Sequence, residues 1–224
     1  MRRSIVSFSS SLAAFALLSY AGAASAQEAV KVAVVETGND HDQAVGHFAV
    51  GYFGVSNLPL GTPGGNGATA VSQGTIVAPV IGARYWLSQR LGIDAGVGFS
   101  DSSAGWGFAL HGGVPLALAT SKHMTFELIP EATVAFAGNS VATTSYSGFR
   151  LDVGARIGGE IQFGFIGIPQ LALQATVGVY LEHDSWGVST PANSGSISAT
   201  TLSTSVGSNP WGIFTDNVSA LYYF

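Results

Sequence analysis

Few residues in this chain could do chemistry, and they are scattered. There are five histidines and no cysteine, which removes disulfides, thiol nucleophiles and thiolate metal ligands from consideration. His183 and Ser185 stand on either side of Asp184. Such a pair could join a general base to a nucleophile, but only with an acid to orient the imidazole, and no Glu occurs downstream. His41, flanked by Asp40 and Asp42, would hold a metal weakly; an exposed acidic linker is the commoner origin of that composition. His123 adjoins Lys122 at the start of a strand, where a solvated position is expected. His47 and His111 are expected to point inward as members of a hydrogen-bond network, because no second His or Cys accompanies either at metal spacing. The run Gly61-Thr62-Pro63-Gly64-Gly65-Asn66-Gly67 lacks the Lys-Ser/Thr of a phosphate loop and opens no helix, so it reads as a flexible loop. No catalytic residue, metal or cofactor is expected.

Residues 1–26 read as a secretory signal peptide: Arg2 and Arg3, an apolar run from Ser11 to Ala24, and small residues at Ala24-Ser25-Ala26. Its removal leaves about 198 residues, enough for one domain. It takes two of the eight basic residues and none of the thirteen acidic ones, moving the formal net charge from −5 to −7. Residues 27–43 form an acidic lead-in (Glu28, Glu36, Asp40, Asp42), expected in the periplasm and given no function.

Any site must be positioned by strands. From residue 44 to 224 the chain falls into eight stretches of period-two alternation: 44–57, 74–87, 91–101, 106–119, 123–137, 148–165, 171–184 and 211–224. In 148–165 one parity carries Phe149, Leu151, Val153, Ile157 and Ile161, and the other carries Arg150, Asp152, Arg156, Glu160 and Gln162. In 171–184 the same split sets Leu171, Leu173, Val177, Val179 and Leu181 against Gln174, Thr176, Tyr180 and Glu182. The first strand separates least well, since both of its faces carry aromatics. Connections 88–90, 120–122 and 166–170 are tight, whereas 58–73, 138–147 and 185–210 are long. The last of these is uncharged and Ser/Thr/Gly-rich, the composition of a mobile surface loop. Apolar-face aromatics gather in two sets. Tyr85, Phe126, Phe163, Phe165, Tyr222 and Phe224 are expected at the periplasmic ends, and Tyr52, Phe99, Trp106, Phe136, Phe149 and Phe214 at the outer ends. Only 9 % of the chain is charged and 47 % is apolar. A soluble barrel of lipocalin type needs an apolar interior; here the charges occupy the narrower face of each strand, which favours lipid outside.

The stretch Trp211–Phe224, WGIFTDNVSALYYF, closes on an aromatic cluster with Phe224 last. In this ending, in strand count and in its alternation of short and long connections, the chain resembles the OmpA/OmpX-type eight-stranded barrels. The resemblance implies an all-β fold, a closed eight-stranded antiparallel up-and-down transmembrane β-barrel over 44–224, in the bacterial cell outer membrane. Barrels of this size include lipid A-modifying enzymes, and His183-Asp184-Ser185 resembles the His-x-Ser of the lipid A deacylases, with Trp186 in place of the Asn that usually follows. The expected function is non-enzymatic: a monomeric barrel with a side-chain-filled lumen and a structural or surface-interaction role, in contact with outer-membrane lipid and lipopolysaccharide. An extracellular partner would meet loops 58–73 and 185–210. The alternative is a transporter or binder of a small hydrophobic molecule. The acidic balance speaks against nucleic acid.

Strand arithmetic extends parity to contacts. The tight turn at 88–90 sets Leu87 opposite Leu91, and keeping the same sum brings Arg84 opposite Asp94. A sum of 242 across 120–122 brings His111 to Glu131, with Arg156 close by, Tyr180 facing Arg156 and Glu182 one diagonal away. Two charge-compensated interior clusters are therefore expected, Arg84–Asp94 and His111–Glu131–Arg156–Glu182.

Overall fold

The computed structural model describes residues 38–63, 71–205 and 217–224. The expected signal peptide, the start of the lead-in, Gly64–Gly67 of the glycine run and residues 211–216 of the expected closing strand lie outside these. Glu36–Phe224 form one compact unit. After a short helix α1 (Asp40–Ala44) come β1 (Phe48–Pro63), β2 (Val71–Trp86), β3 (Gly92–Ser102), β4 (Gly105–Gly113), β5 (Leu116–Thr120), β6 (Met124–Val141), β7 (Thr144–Phe163), β8 (Ile168–Ser189), β9 (Ser194–Thr204) and β10 (Val218–Tyr223). They form one antiparallel sheet in the order β10-β1-β2-β3-β4-β6-β7-β8-β9, and β10 also pairs with β8, so the hydrogen bonding returns on itself as a ring.

Ten strands, not eight, are present among the described residues. The difference has two causes. Expected strand 106–119 is interrupted at Val114-Pro115, because Pro115 has no N–H for the ladder; β4 and β5 then pair with successive parts of β6. The expected loop 185–210 is instead mostly strand: β8 runs on to Ser189, and β9 returns along it from Ser189↔Ser194 to Val179↔Thr204. β10 resumes on the same edge at Val218↔Ala175, where Asn217 Nδ2 donates to the Ser205 carbonyl at 2.9 Å. The long connections 58–73 and 138–147 shrink likewise, β6 and β7 meeting at Val141↔Thr144. Ser/Thr/Gly composition misled here because β9 is exposed on both faces over almost its whole length and needs no apolar side.

Side chains alternate across the ring as a pleated strand requires. β3 reads buried-exposed through Gly92–Phe99, and in and beside β10 Asn217, Ser219, Leu221 and Tyr223 are buried while Tyr222 and Phe224 are exposed. β1 breaks the rule once. Its register on β2 shifts between Tyr52 and Val55 at a β-bulge, where Gly54 takes φ 99°. Ala49 and Phe53 are buried before the bulge, and Ser56, Leu58 and Leu60 after it. Aromatics fall on both parities because Phe53 is buried while Phe48, on the other parity, is exposed, and Tyr52 sits at the bulge rather than at the outer end.

Beyond the bulge β1 stays paired with β2 but parts from β10, and its backbone comes against β7 and β8 on the inner side. A Cβ on Gly148 would collide with the Pro59 carbonyl, and one on Gly61 with that of Gly187. Leu58, Leu60, Ile76, Ala78, Ala109, Ala135 and Ala137 form an apolar cluster there, with Tyr146 against it. Gly148→Ala should therefore destabilise the fold by about 1–3 kcal/mol in urea titrations, the range for forced overpacking. Gly112→Ala, where the nearest atom is 4.0 Å away, should stay within about 0.5 kcal/mol.

Candidate functional site

The interior is built in three layers. At the end with the tight turns, α1 fills the mouth. Asn39 caps it by accepting the Asp42 N–H at 2.8 Å, and Asn39, Asp40 and His41 are buried. Asp40 pairs with His123 Nδ1 at 2.7 Å and accepts the Gly164 N–H at 3.0 Å. His41 packs edge-on against Trp86, with centroids 4.5 Å apart, and its Nε2 donates to the Gln89 carbonyl at 3.1 Å. The described part of the lead-in is thus a docked stopper rather than an exposed acidic linker, and His123 is its anchor. His47, expected to point inward, is exposed just before β1.

The second layer centres on Arg84, whose side chain is 0 % exposed. Its Nε and Nη2 donate to the two Asp94 oxygens at 2.7 Å each, a bidentate fork set by the register Arg84↔Asp94. Nη1 donates to Glu160 at 2.6 Å and to Glu127 at 3.3 Å. Gln174 Nε2 donates to Glu127 at 2.6 Å, Tyr223 Oη to Glu160 at 3.0 Å, and Trp86 Nε1 to Tyr223 Oη at 3.1 Å. One guanidinium thus ties β2 to β3, β6 and β7, with β8 and β10 joined through neutral donors. Parity places Glu127, Glu160 and Gln174 on the inner face, but ladder sums give only neighbours within the sheet. These contacts cross the ring, so the sequence offered no signal for them.

The third layer holds the other expected residues in a different grouping. The β4–β6 register sets His111 opposite Thr133 and Gly113 opposite Glu131, a sum of 244 rather than 242, because the turn closes between Ser121 and Met124 and the β5–β6 register then shifts by one between Ala119 and Ala117. His111 Nε2 still lies 3.8 Å from Glu131. Arg156 donates from Nε to Glu131 at 2.7 Å, and Tyr180 Oη donates to the same carboxylate at 2.6 Å. Tyr180 stands opposite Gly154, not Arg156. Glu182 does not join this group: it faces Asp152, accepts from Ser203 Oγ and lies 3.8 Å from Arg150. Arg150 forks onto Asp184 at 2.7 and 2.8 Å. A cavity of about 240 Å³ opens among Phe53, His111, Asp152, Tyr180 and Glu182.

The His183-Asp184-Ser185 stretch is not arranged as a base, acid and nucleophile. Asp184 turns inward to Arg150, and His183 Nδ1 is 2.7 Å from Thr200 Oγ1. Among the described residues no group of three His, Cys, Asp or Glu is placed to hold a metal ion.

Two outcomes test these layers. Arg84→Met leaves three buried carboxylates around an apolar side chain, and should cost about 3–5 kcal/mol in urea titrations; adding Glu127→Gln should recover part of that loss. The second concerns pH. Burial, partly offset by the Gln89 carbonyl, holds His41 below its ordinary 6.5, and its buried Nδ1 has no partner to receive a proton's hydrogen bond. The unfolded chain therefore binds the proton first, so this contribution to stability is present above about pH 6.5 and is lost as pH falls below it. Proteolysis in residues 36–46 should rise between pH 7.5 and 5, and His41→Phe should flatten that rise.

A scan against protein-family models, a search of curated proteins and a search of solved structures each gave no match to this chain.

Proposed function

We propose that the chain is an outer-membrane β-barrel that closes as a transmembrane ring and blocks its own lumen, with a structural or surface-interaction role. One observation carries the reading: the ring is apolar outside and charged inside. Ile81 is 63 % exposed and Phe99 61 %, with Val97, Leu110, Val177 and Val179 also exposed, while Arg84, Glu127, Arg156, Glu160 and Gln174 are buried. Water would penalise that arrangement and lipid would reward it. Exposed aromatics support it: Phe48, Phe126, Phe165, Tyr222 and Phe224 at the α1 end, Trp106, Phe136 and Phe99 towards the other. Among the described residues, α1, the Arg84 layer and the inner half of β1 all fill interior space, which supports a blocked lumen. A partner at the far end would meet the β8–β9 hairpin, whose Ile197 and Leu202 are exposed. The reading remains non-enzymatic.

Unheated protein should migrate differently from heated protein in SDS gels and fractionate with the outer membrane; recovery as a soluble periplasmic protein with one mobility would overturn the assignment. In planar bilayers no reproducible open levels are expected, and steady conductance would sink the blocked lumen. On this reading Val153, paired with Ala132 and Leu181, would meet lipid near mid-membrane. Val153→Arg should cost about 2–4 kcal/mol in lipid, and Thr133→Arg, beside the cavity, clearly less.

A further inference from the structure

The cavity in the third layer is not accounted for by plugging, because its charges do not balance locally. Arg156 is committed to Glu131 and Arg150 to Asp184. Asp152 and Glu182 remain, directly opposite each other in the β7–β8 register, where like charges oppose pairing. Each lies 3.8 Å from Arg150, beyond hydrogen-bond reach, and Asp152 Oδ1 has no hydrogen-bond partner. A separate observation points into the same space from β4. The His111 side chain is only 8 % exposed, and its Nε2 is also unpartnered, while Nδ1 meets Thr133 Oγ1 at 3.1 Å. With Nδ1–H donated to that hydroxyl, Nε2 is an acceptor. Phe53, Val80 and Tyr180 give the cavity an apolar and aromatic lining.

We propose that this cavity binds a small organic cation: an ammonium or amidinium group held by Asp152 and Glu182, on a flat apolar body lying against Phe53 and Tyr180. The volume of about 240 Å³ is the space of roughly eight waters, which suits a single-ring molecule rather than a lipid or peptide. An anion is disfavoured, since both guanidinium groups are already occupied by carboxylates. A bare metal ion is disfavoured by the lack of a three-ligand group among the described residues. The aromatic walls add cation–π attraction where water is sparse. This goes beyond the blocked-barrel reading, since a pocket open to one side need not conduct.

The test is calorimetric titration of the full chain, refolded in detergent, with benzamidine, isosteric neutral benzamide and anionic benzoate. Benzamidine should bind saturably at one site, at least about tenfold tighter than benzamide, the factor expected for a charged hydrogen-bonded group; benzoate should not bind. The isosteric double variant Asp152→Asn/Glu182→Gln, its folding checked by circular dichroism, should lose the preference for benzamidine. Equal binding of benzamidine and benzamide by the native chain, including no binding of either, would reduce the cavity to solvated lumen and overturn the proposal. So would unchanged preference in a folded double variant. The comparison of ligands on the native chain decides even if the variant fails to fold, and its outcome is independent of conductance.

Discussion

The buried guanidinium of Arg84 constrains everything around it. A fully desolvated cation is tolerable only if every N–H finds an acceptor in place. Here the acceptors come from β3, β6 and β7 at once. That requires the ring to be narrow, so that one side chain reaches several walls, and it requires each contributing strand to keep its parity. A one-residue slip of β3 would carry Asp94 to the outer face and leave the cation unpaired. The carboxylates in turn rely on Gln174 and Tyr223 for further donors, so the closing strand is tied to the centre by side chains as well as by its ladders to β1 and β8.

The two ends resolve the same narrowness differently. Below, the end is filled by an added element: α1 inserts His41 against Trp86 and fastens Asp40 to His123 and Gly164. Above, the wall fills itself, because the bulge at Gly54 redirects β1 inward and small residues let its backbone approach β7 and β8. Between them, among the described residues, lies a cavity where charge and space are both in excess. The outer surface, by contrast, shows alternation of exposed apolar side chains and needs no such devices.

How much of this the sequence revealed follows from the range of each interaction. The pairing of Arg84 with Asp94 spans a tight turn, so counting from Leu87 and Leu91 reaches it directly. The inner faces of β6, β7 and β8 were legible because charges and apolar residues alternate cleanly there. Contacts across the ring, such as Arg84 to Glu160, obey no ladder sum. The bulge in β1 adds a residue and inverts parity, which looks in the sequence like a strand with two mixed faces. β9 lacks a buried face and so lacks the period that marks a strand. The turn between Ser121 and Met124 and the irregularity between Ala117 and Ala119, which together move His111 from Glu131 to Thr133 in register, appear only when the ladder is built. The stopper was missed because a five-residue helix is too short to show a helical period.

The central claim is that the exposed apolar face meets lipid and the charged face does not. Nitroxide labels placed singly at Ile81, Val97 and Val179 on the outer face, and at Thr176 on the inner face, would test it in chain refolded into lipid vesicles. Collision with dissolved oxygen should dominate over collision with a water-soluble nickel complex at the outer three positions, and neither reagent should reach Thr176 readily. Ready access of the nickel complex to Ile81, Val97 and Val179 would place that face in water and contradict the account.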